Sequence, residues 1–395
     1  MKGNLGRAGL TLTLGLSLAA CSSGNAPTWT YAVAPVSTPG GETTASVGGA
    51  AGQASPAPSP AAPAAAASAA PSGAPSAAAS AAPAAMPGMG GSTAQAATPV
   101  ADPNAPAYTL YPPEAPALLP GTVHDVDFLI IEKDITVAKG FVVHAWTFGG
   151  TVPGPAIRVH LGDTVRVHLT NQGQMSHSID FHASQTAMDH QMVEIKPGAT
   201  FTYTFTADYA GVWMYHCGTA PTLQHIANGM FGMVIVEPKG GFAKVDHEYA
   251  FVQSEWYLGA QGQPADYLKA AAGAPSPDFV VFNGVASQYK DNPIPVAAKD
   301  RIRIFILDAG PNIDSSFHVV GTIFDTVHKE GISLLKGNPD GWGSQAVDLS
   351  PAQAAIIELV IPENGSYAFV THAFNFVGRG AVGVFKAGSG ATMSH

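Results

Sequence analysis

From about residue 121 the chain runs in short segments of alternating apolar and polar residues, interrupted every few positions by Gly, Pro or Asn. Thr164-Val-Arg-Val-His-Leu-Thr170 and Thr200-Phe-Thr-Tyr-Thr-Phe-Thr206 alternate with period two, as half-buried strands do because successive side chains point to opposite faces. Met233-Val-Ile-Val236 and Arg301-Ile-Arg-Ile-Phe-Ile-Leu307 are more uniformly apolar and predict strands buried on both faces. The pattern as a whole predicts an all-β protein of antiparallel strands packed as sandwiches. His160 and His168 fall on the polar phase and are expected at the surface, not as ligands.

The strand pattern occurs twice. Gly229-Met-Phe-Gly-Met-Val234 is echoed by Gly380-Ala-Val-Gly-Val-Phe385, and each follows a strand that opens on Gly, carries an aromatic and ends on His: Gly211 to His216, then Gly365 to His372. Two tandem sandwiches follow, spanning 121–240 and 245–388, with the break where Lys239-Gly-Gly241 interrupts the pattern. Ala373 and Ala381 stand in the second copy where the first has Cys217 and Met230.

Composition narrows the folded length. Lys2 and Arg7 precede an apolar stretch, Ala8 to Ala20, too short to span a bilayer and ending Leu-Ala-Ala-Cys21. Residues 1–21 read as an export signal, and the ending resembles the lipobox of bacterial lipoproteins, in which Cys21 would carry a lipid anchor on a periplasmic or cell-surface protein. Residues 22–106 are rich in Ala, Pro, Ser and Gly, too poor in large apolar side chains to offset chain entropy, and are expected to form a disordered tether. A formal charge of −10 argues against nucleic-acid binding, and membrane contact is expected only through the anchor. With Cys21 lipidated, Cys217 is the one remaining thiol of the chain's two cysteines, free of any disulfide.

Cys217 belongs to the run His216-Cys-Gly-Thr-Ala-Pro-Thr-Leu-Gln-His225-Ile-Ala-Asn-Gly-Met230, and His177 lies upstream. Two imidazoles, a thiolate and a weak axial thioether form the ligand set of a blue-copper centre. His182 and His216 suggest a second site, because alternation turns the neighbour of Cys217 to the opposite face. A third ligand is needed, and His372 is the candidate. Three histidines leave an open position for water or a small anion.

The runs Thr151-Val-Pro-Gly-Pro155, His177-Ser-Ile-Asp-Phe-His182, His216-Cys217, His225-Ile-Ala-Asn-Gly-Met230 and Ser315-Ser-Phe-His318 resemble the copper-containing nitrite reductases, over roughly residues 121 to 388. The resemblance implies two cupredoxin-like Greek-key sandwiches. It implies one type 1 copper per subunit on His177, Cys217, His225 and Met230, and one type 2 copper on His182, His216 and His372. It implies a homotrimer in which His372 comes from the neighbouring subunit, and Asp180 and His318 as the acid-base pair for reducing nitrite to nitric oxide. The electron donor would be a small cupredoxin or c-type cytochrome.

The chain departs from that family's pattern at Ser184-Gln-Thr-Ala-Met-Asp-His-Gln-Met-Val193, at Gly341-Trp-Gly343 and at Val320, so access to the second site is open to change. A laccase-like oxidase needs His-x-His pairs; none occurs, and Gly218 stands where one such histidine would be. A two-domain multicopper oxidase of other substrate range, or a copper electron carrier whose second site is empty or holds zinc, are the competing readings. His190 is a candidate pocket residue; His328 and the tail residue His395 are unassigned, and Met86 and Met89 read as filler.

Overall fold

The computed structural model describes residues 99–337 and 340–388; the signal ending at Cys21, the tether up to residue 98, Met86, Met89 and His395 lie outside the described residues. In the first half, β1 (Val123–Ala138), β2 (Phe141–Phe148), β3 (Ile157–His160), β4 (Thr164–Asn171), β5 (Asp180–Phe181), β6 (Thr200–Thr206), β7 (Gly211–His216) and β8 (Phe231–Glu237) form two sheets, ordered β2-β1-β4-β6 and β3-β8-β7-β5. In the second half, β9 (His247–Trp256), β10 (Phe279–Phe282), β12 (Arg301–Gly310), β14 (Thr326–Lys329), β15 (Ile332–Leu335) and β17 (Ala354–Val360) make one sheet. The facing sheet contains β11 (Ile294–Val296), β13 (Ser315–Val319), β16 (Ala346–Leu349), β18 (Gly365–Thr371) and β19 (Val382–Ala387).

The two alternating runs become β4 and β6, whose apolar phases (Val165, Val167 and Leu169; Tyr203 and Phe205) fill the first core. All of β8 is buried, as is β12 after Arg301, because these strands carry a sandwich core on one face and the other sandwich on the opposite face. Not every pairing is antiparallel. β1 with β4, β3 with β8, β9 with β12 and β11 with β19 run parallel, since Greek-key connections place strands distant in sequence side by side.

The internal repeat is visible in the hairpins β7–β8 and β18–β19. Gly232 lies opposite Tyr215 and Gly383 opposite Phe369, and a Cβ on either glycine would fall 2.3 or 2.1 Å from the aromatic ring. This register corrects the equivalence read from sequence. Val370 occupies the place of His216, and His372 lies two residues further, level with Gly218. A shift of two keeps the strand face, so the histidine still points out of the core.

The end of the Ala/Pro-rich stretch is also a correction: it is held in place, not free. Asp102 N donates to Gly140 O at 2.8 Å, and Pro106 O accepts from Thr136 at 3.0 Å. Residues 111–119 continue as a strap hydrogen-bonded to both sandwiches, at Gln288, Glu248 and Arg158. Backbone hydrogen bonds hold this segment, so its poverty in apolar side chains does not release it. Between the sandwiches runs a chain of ion pairs: Arg158 with Glu237 (2.7 Å) and Glu248 (2.8 Å), then Arg303 with Glu248 and Glu358 (both 2.6 Å), then Arg301 with Glu358 (2.7 Å) and Asp325 (2.7 Å).

Candidate metal centres

The first cluster is assembled where β7 ends. Cys217 follows β7 and donates its N–H to Met230 O; a six-residue helix, Thr222–Ala227, then carries His225, whose carbonyl accepts from Met230 N. Asn228 caps this helix and fixes it by donating to His144 O and accepting from Ala265 N at 2.7 Å. The turn into β8 needs Gly229: its φ is +107° and a Cβ would lie 2.5 Å from Val152. His177 precedes β5 and is held by paired backbone bonds to Ile195 of 3.1 and 2.7 Å.

These elements bring three ligand atoms together. Nδ1 of His177 and Nδ1 of His225 are 3.2 Å apart, and Cys217 Sγ lies 3.3 Å from the latter and 4.0 Å from the former. All three residues are fully buried, as is Met230 in the same core. Burial pushes the His177 imidazole down to about 3, helped by the charge on His225, and His225 down to about 4, so both rings are neutral and offer lone pairs. Burial also pushes the Cys217 thiol up, against hydrogen bonds from Ser178 and Thr219. A thiolate here requires a cation beside it, and a soft sulfur converging with two neutral imidazoles fits copper.

The second cluster lies on the other side of the His216–Cys217 peptide. Asp180 pairs directly with His216 across β5 and β7, so their side chains share a face. Asp180 Oδ2 lies 3.6 Å from His182 Nε2 and 3.9 Å from His216 Nε2, and the two imidazole rings are 5.1 Å apart and nearly perpendicular. His216 Nδ1 donates to Cys217 O at 2.9 Å, which leaves Nε2 as the free acceptor facing the cluster. The His182 imidazole is held below its usual range by burial and by His216, with Asp180 opposing.

His318 and His372 form a separate pair. They lie on β13 and just beyond β18, with ring centroids 5.1 Å apart, His372 N donating to Ser316 O at 2.7 Å. Phe317 and Val319 enter the core, so His318 faces outward, and its Nδ1 donates to the Gln345 carbonyl. Among the described residues the cluster of ligand atoms mutually within 4.8 Å around His216 contains Asp180 and His182, and does not contain His372.

A sequence model of the multicopper oxidase family matches residues 130–241. The chain is 40% identical over 294 residues to the copper-containing nitrite reductase of Neisseria meningitidis serogroup B, covering 71% of this chain and 73% of that protein. The chain belongs to the copper-containing nitrite reductase family. A further member, from Neorhizobium galegae, is 32% identical over 65% of the chain and 73% of that protein. The copper nitrite reductase of Nitrosomonas europaea superimposes with a TM-score of 0.62 at 36% identity, covering 68% of this chain and 95% of that one. That of Thermus scotoductus gives 0.62 at 30% identity over 69% and 64%. Membership in this family carries the cupredoxin-like sandwich fold and copper as the metal.

The departing loop finds its place against this background. Gln191 bridges to Thr204 by two hydrogen bonds, 2.6 and 2.7 Å, which pin the loop to β6, and Met192 Sδ lies where a Gly218 Cβ would be, 2.3 Å from it. Gly218 therefore accommodates a thioether beside Cys217. His190 is exposed next to Asp189 and lines neither cluster; His328 lies half-buried on β14, and Val320 and Trp342 are exposed. Sequence reasoning missed Ser178, whose N–H lies 3.4 Å from Cys217 Sγ, and Trp146, whose ring packs 4.8 Å from His225 and 5.9 Å from His177. Ser178 was detectable as the neighbour of His177. Trp146 had no sequence signal.

Proposed function

We propose that this protein reduces nitrite to nitric oxide and water, taking one electron from a small redox protein, a cupredoxin or c-type cytochrome. The observation that carries this reading is the pair His216–Cys217: adjacent residues at one strand end serve two different clusters, which share a peptide as the shortest covalent path for an electron. His177, Cys217, His225 and Met230 would hold a type 1 copper, and His182, His216 and His372 a type 2 copper, one of each per subunit. When bound, these ions supply reversible one-electron chemistry at the first site and polarisation of an anion's oxygen at the second.

The chain's own residues handle protons. Nitrite reduction takes up two protons with its electron, and Asp180 faces the second cluster from beside His182 and His216, within reach of a bound anion's oxygen. His318 has its Nδ1–H committed to Gln345 O, so its Nε2 is the atom that holds or gives a proton. Residues 121–240 would supply the type 1 site and two type 2 ligands, and 245–388 the third. Because His372 and His318 form their own outward pair, the reading requires them to come from a neighbouring subunit, in a homotrimer. Export, with a lipid anchor at Cys21 on the periplasmic or cell-surface side, is part of the same proposal, as is a role in denitrification.

Copper-loaded protein with an artificial donor should form nitric oxide in proportion to nitrite. Oxygen uptake with a phenolic substrate and no nitric oxide would make it a two-domain multicopper oxidase. A coloured protein with neither activity would make it an electron carrier.

A further inference from the structure

The Nε2 atoms of His177 and His225 point away from the first cluster, and both are buried without a hydrogen-bond partner among the described residues. A histidine bound to metal through Nδ1 carries its proton on Nε2, and an outer carboxylate or carbonyl normally receives it. Near His177 the structure supplies such a group. Glu132 Oε1, on β1 opposite Trp146, lies 4.0 Å from His177 Nε2 and is itself nine-tenths buried.

The carboxylate has a built seat. Oε1 accepts the backbone N–H groups of Gln174 (2.6 Å) and Met175 (3.1 Å), in the turn that leads into His177, and Gly173 leaves room for it, since a Cβ there would lie 2.8 Å from Oε1. Two N–H donors hold the carboxylate in place beside the ring. Its other oxygen lies 3.9 Å from His144 Nε2, and His144 Nδ1 is 2.7 Å from the exposed Asp134. A line of alternating acid and imidazole thus runs from the surface to the outer edge of a ligand ring.

We propose that Glu132 is the positioning residue of the first centre, fixing His177 by a carboxylate at its Nε2–H edge and lowering the reduction potential of the type 1 copper. The inference rests on the type 1 assignment above. At 4.0 Å the contact is longer than a hydrogen bond, but attraction between a carboxylate and a ring that shares the metal's charge persists at that separation. It favours the more positive, oxidised state of the metal. Among the described residues no carboxylate is paired with His225, so the effect belongs to one ligand of the pair.

The test is redox titration of the visible band in copper-loaded full-length protein, comparing wild type, E132Q and E132D. E132Q keeps an oxygen for Gln174 and Met175 and removes only the charge. It should shift the Cu(II) to Cu(I) partition about tenfold toward Cu(I), about 59 mV for one electron. E132D keeps the charge and should stay near wild type. A wild-type potential in E132Q overturns the proposal, and so does an equal shift in both variants, which would mark lost packing. Wild-type protein without an intense visible band would overturn the type 1 assignment itself, and this inference with it.

Discussion

Metal-free protein should lose stability on mild acidification because of the two buried imidazoles of the first cluster. Protein stripped with a chelator is compared with a His177→Leu, His225→Leu double variant, by urea unfolding at about pH 7.5 and about pH 5. In the unfolded chain a histidine titrates near 6.5. In the folded chain burial holds His177 down to about 3 and His225 down to about 4. The unfolded state therefore binds protons that the folded state refuses, so stability is fully present above about pH 6.5 and falls through the window from there to about 3, where His177 finally takes its proton. At about pH 5 each group costs about 2 kcal/mol, about 4 kcal/mol for the pair, a large share of a domain's net stability. His182 and His328 are shifted the same way, and Glu255 and Asp308, pushed up by burial, act with opposite sign. These groups remain in both proteins, so the pair's share is the difference between their pH-dependent losses. A difference below about 1 kcal/mol would refute the reasoning.

Cys217→Ala should abolish the intense visible band while copper persists at the second site, read by paramagnetic resonance; an unchanged visible spectrum would sink the type 1 assignment. His372→Ala and Asp180→Ala should each lose nitrite reduction, and co-assembled mixed trimers should recover part of it, because some interfaces would combine an intact Asp180 with an intact His372. No recovery in verified mixed trimers would place His372 in another role. Arg303→Met should destabilise the protein by about 1.5–3 kcal/mol, since Arg303 is 2% exposed and its loss removes the cation that Glu248 and Glu358 share, while Arg158 and Arg301 still pair with them. Unfolding within about 1 kcal/mol of wild type would mean that water or Arg301 replaces it.

Much of the fold was legible because strand burial has a two-residue period that sequence displays directly. β4 and β6 could be read from Thr164–Thr170 and Thr200–Thr206 with their faces assigned. The spacing from His216 to Met230 was legible for a similar local reason: a strand end, a six-residue helix and a returning strand place Cys217, His225 and Met230 together within fifteen residues. The parallel pairings were not legible, because periodicity specifies a strand's faces but not its neighbour. The ordered strap from Asp102 to Leu119 was hidden by its composition, since backbone hydrogen bonds carry no residue signature.

The sequence alone determined which chemistry the chain holds: an imidazole and thiolate set next to a second histidine set, separated by the alternation of one strand. Tertiary structure decided what surrounds those ligands. Glu132 and Trp146 reach His177 from opposing strands β1 and β2, and Met192 reaches Gly218 from a loop pinned to β6. It also set His318 and His372 apart from the Asp180 cluster within one chain. The reason is physical. Ligand type and local spacing are properties of a few neighbouring residues, whereas the charge beside a ring and the third partner of a site depend on which strands the fold lays side by side.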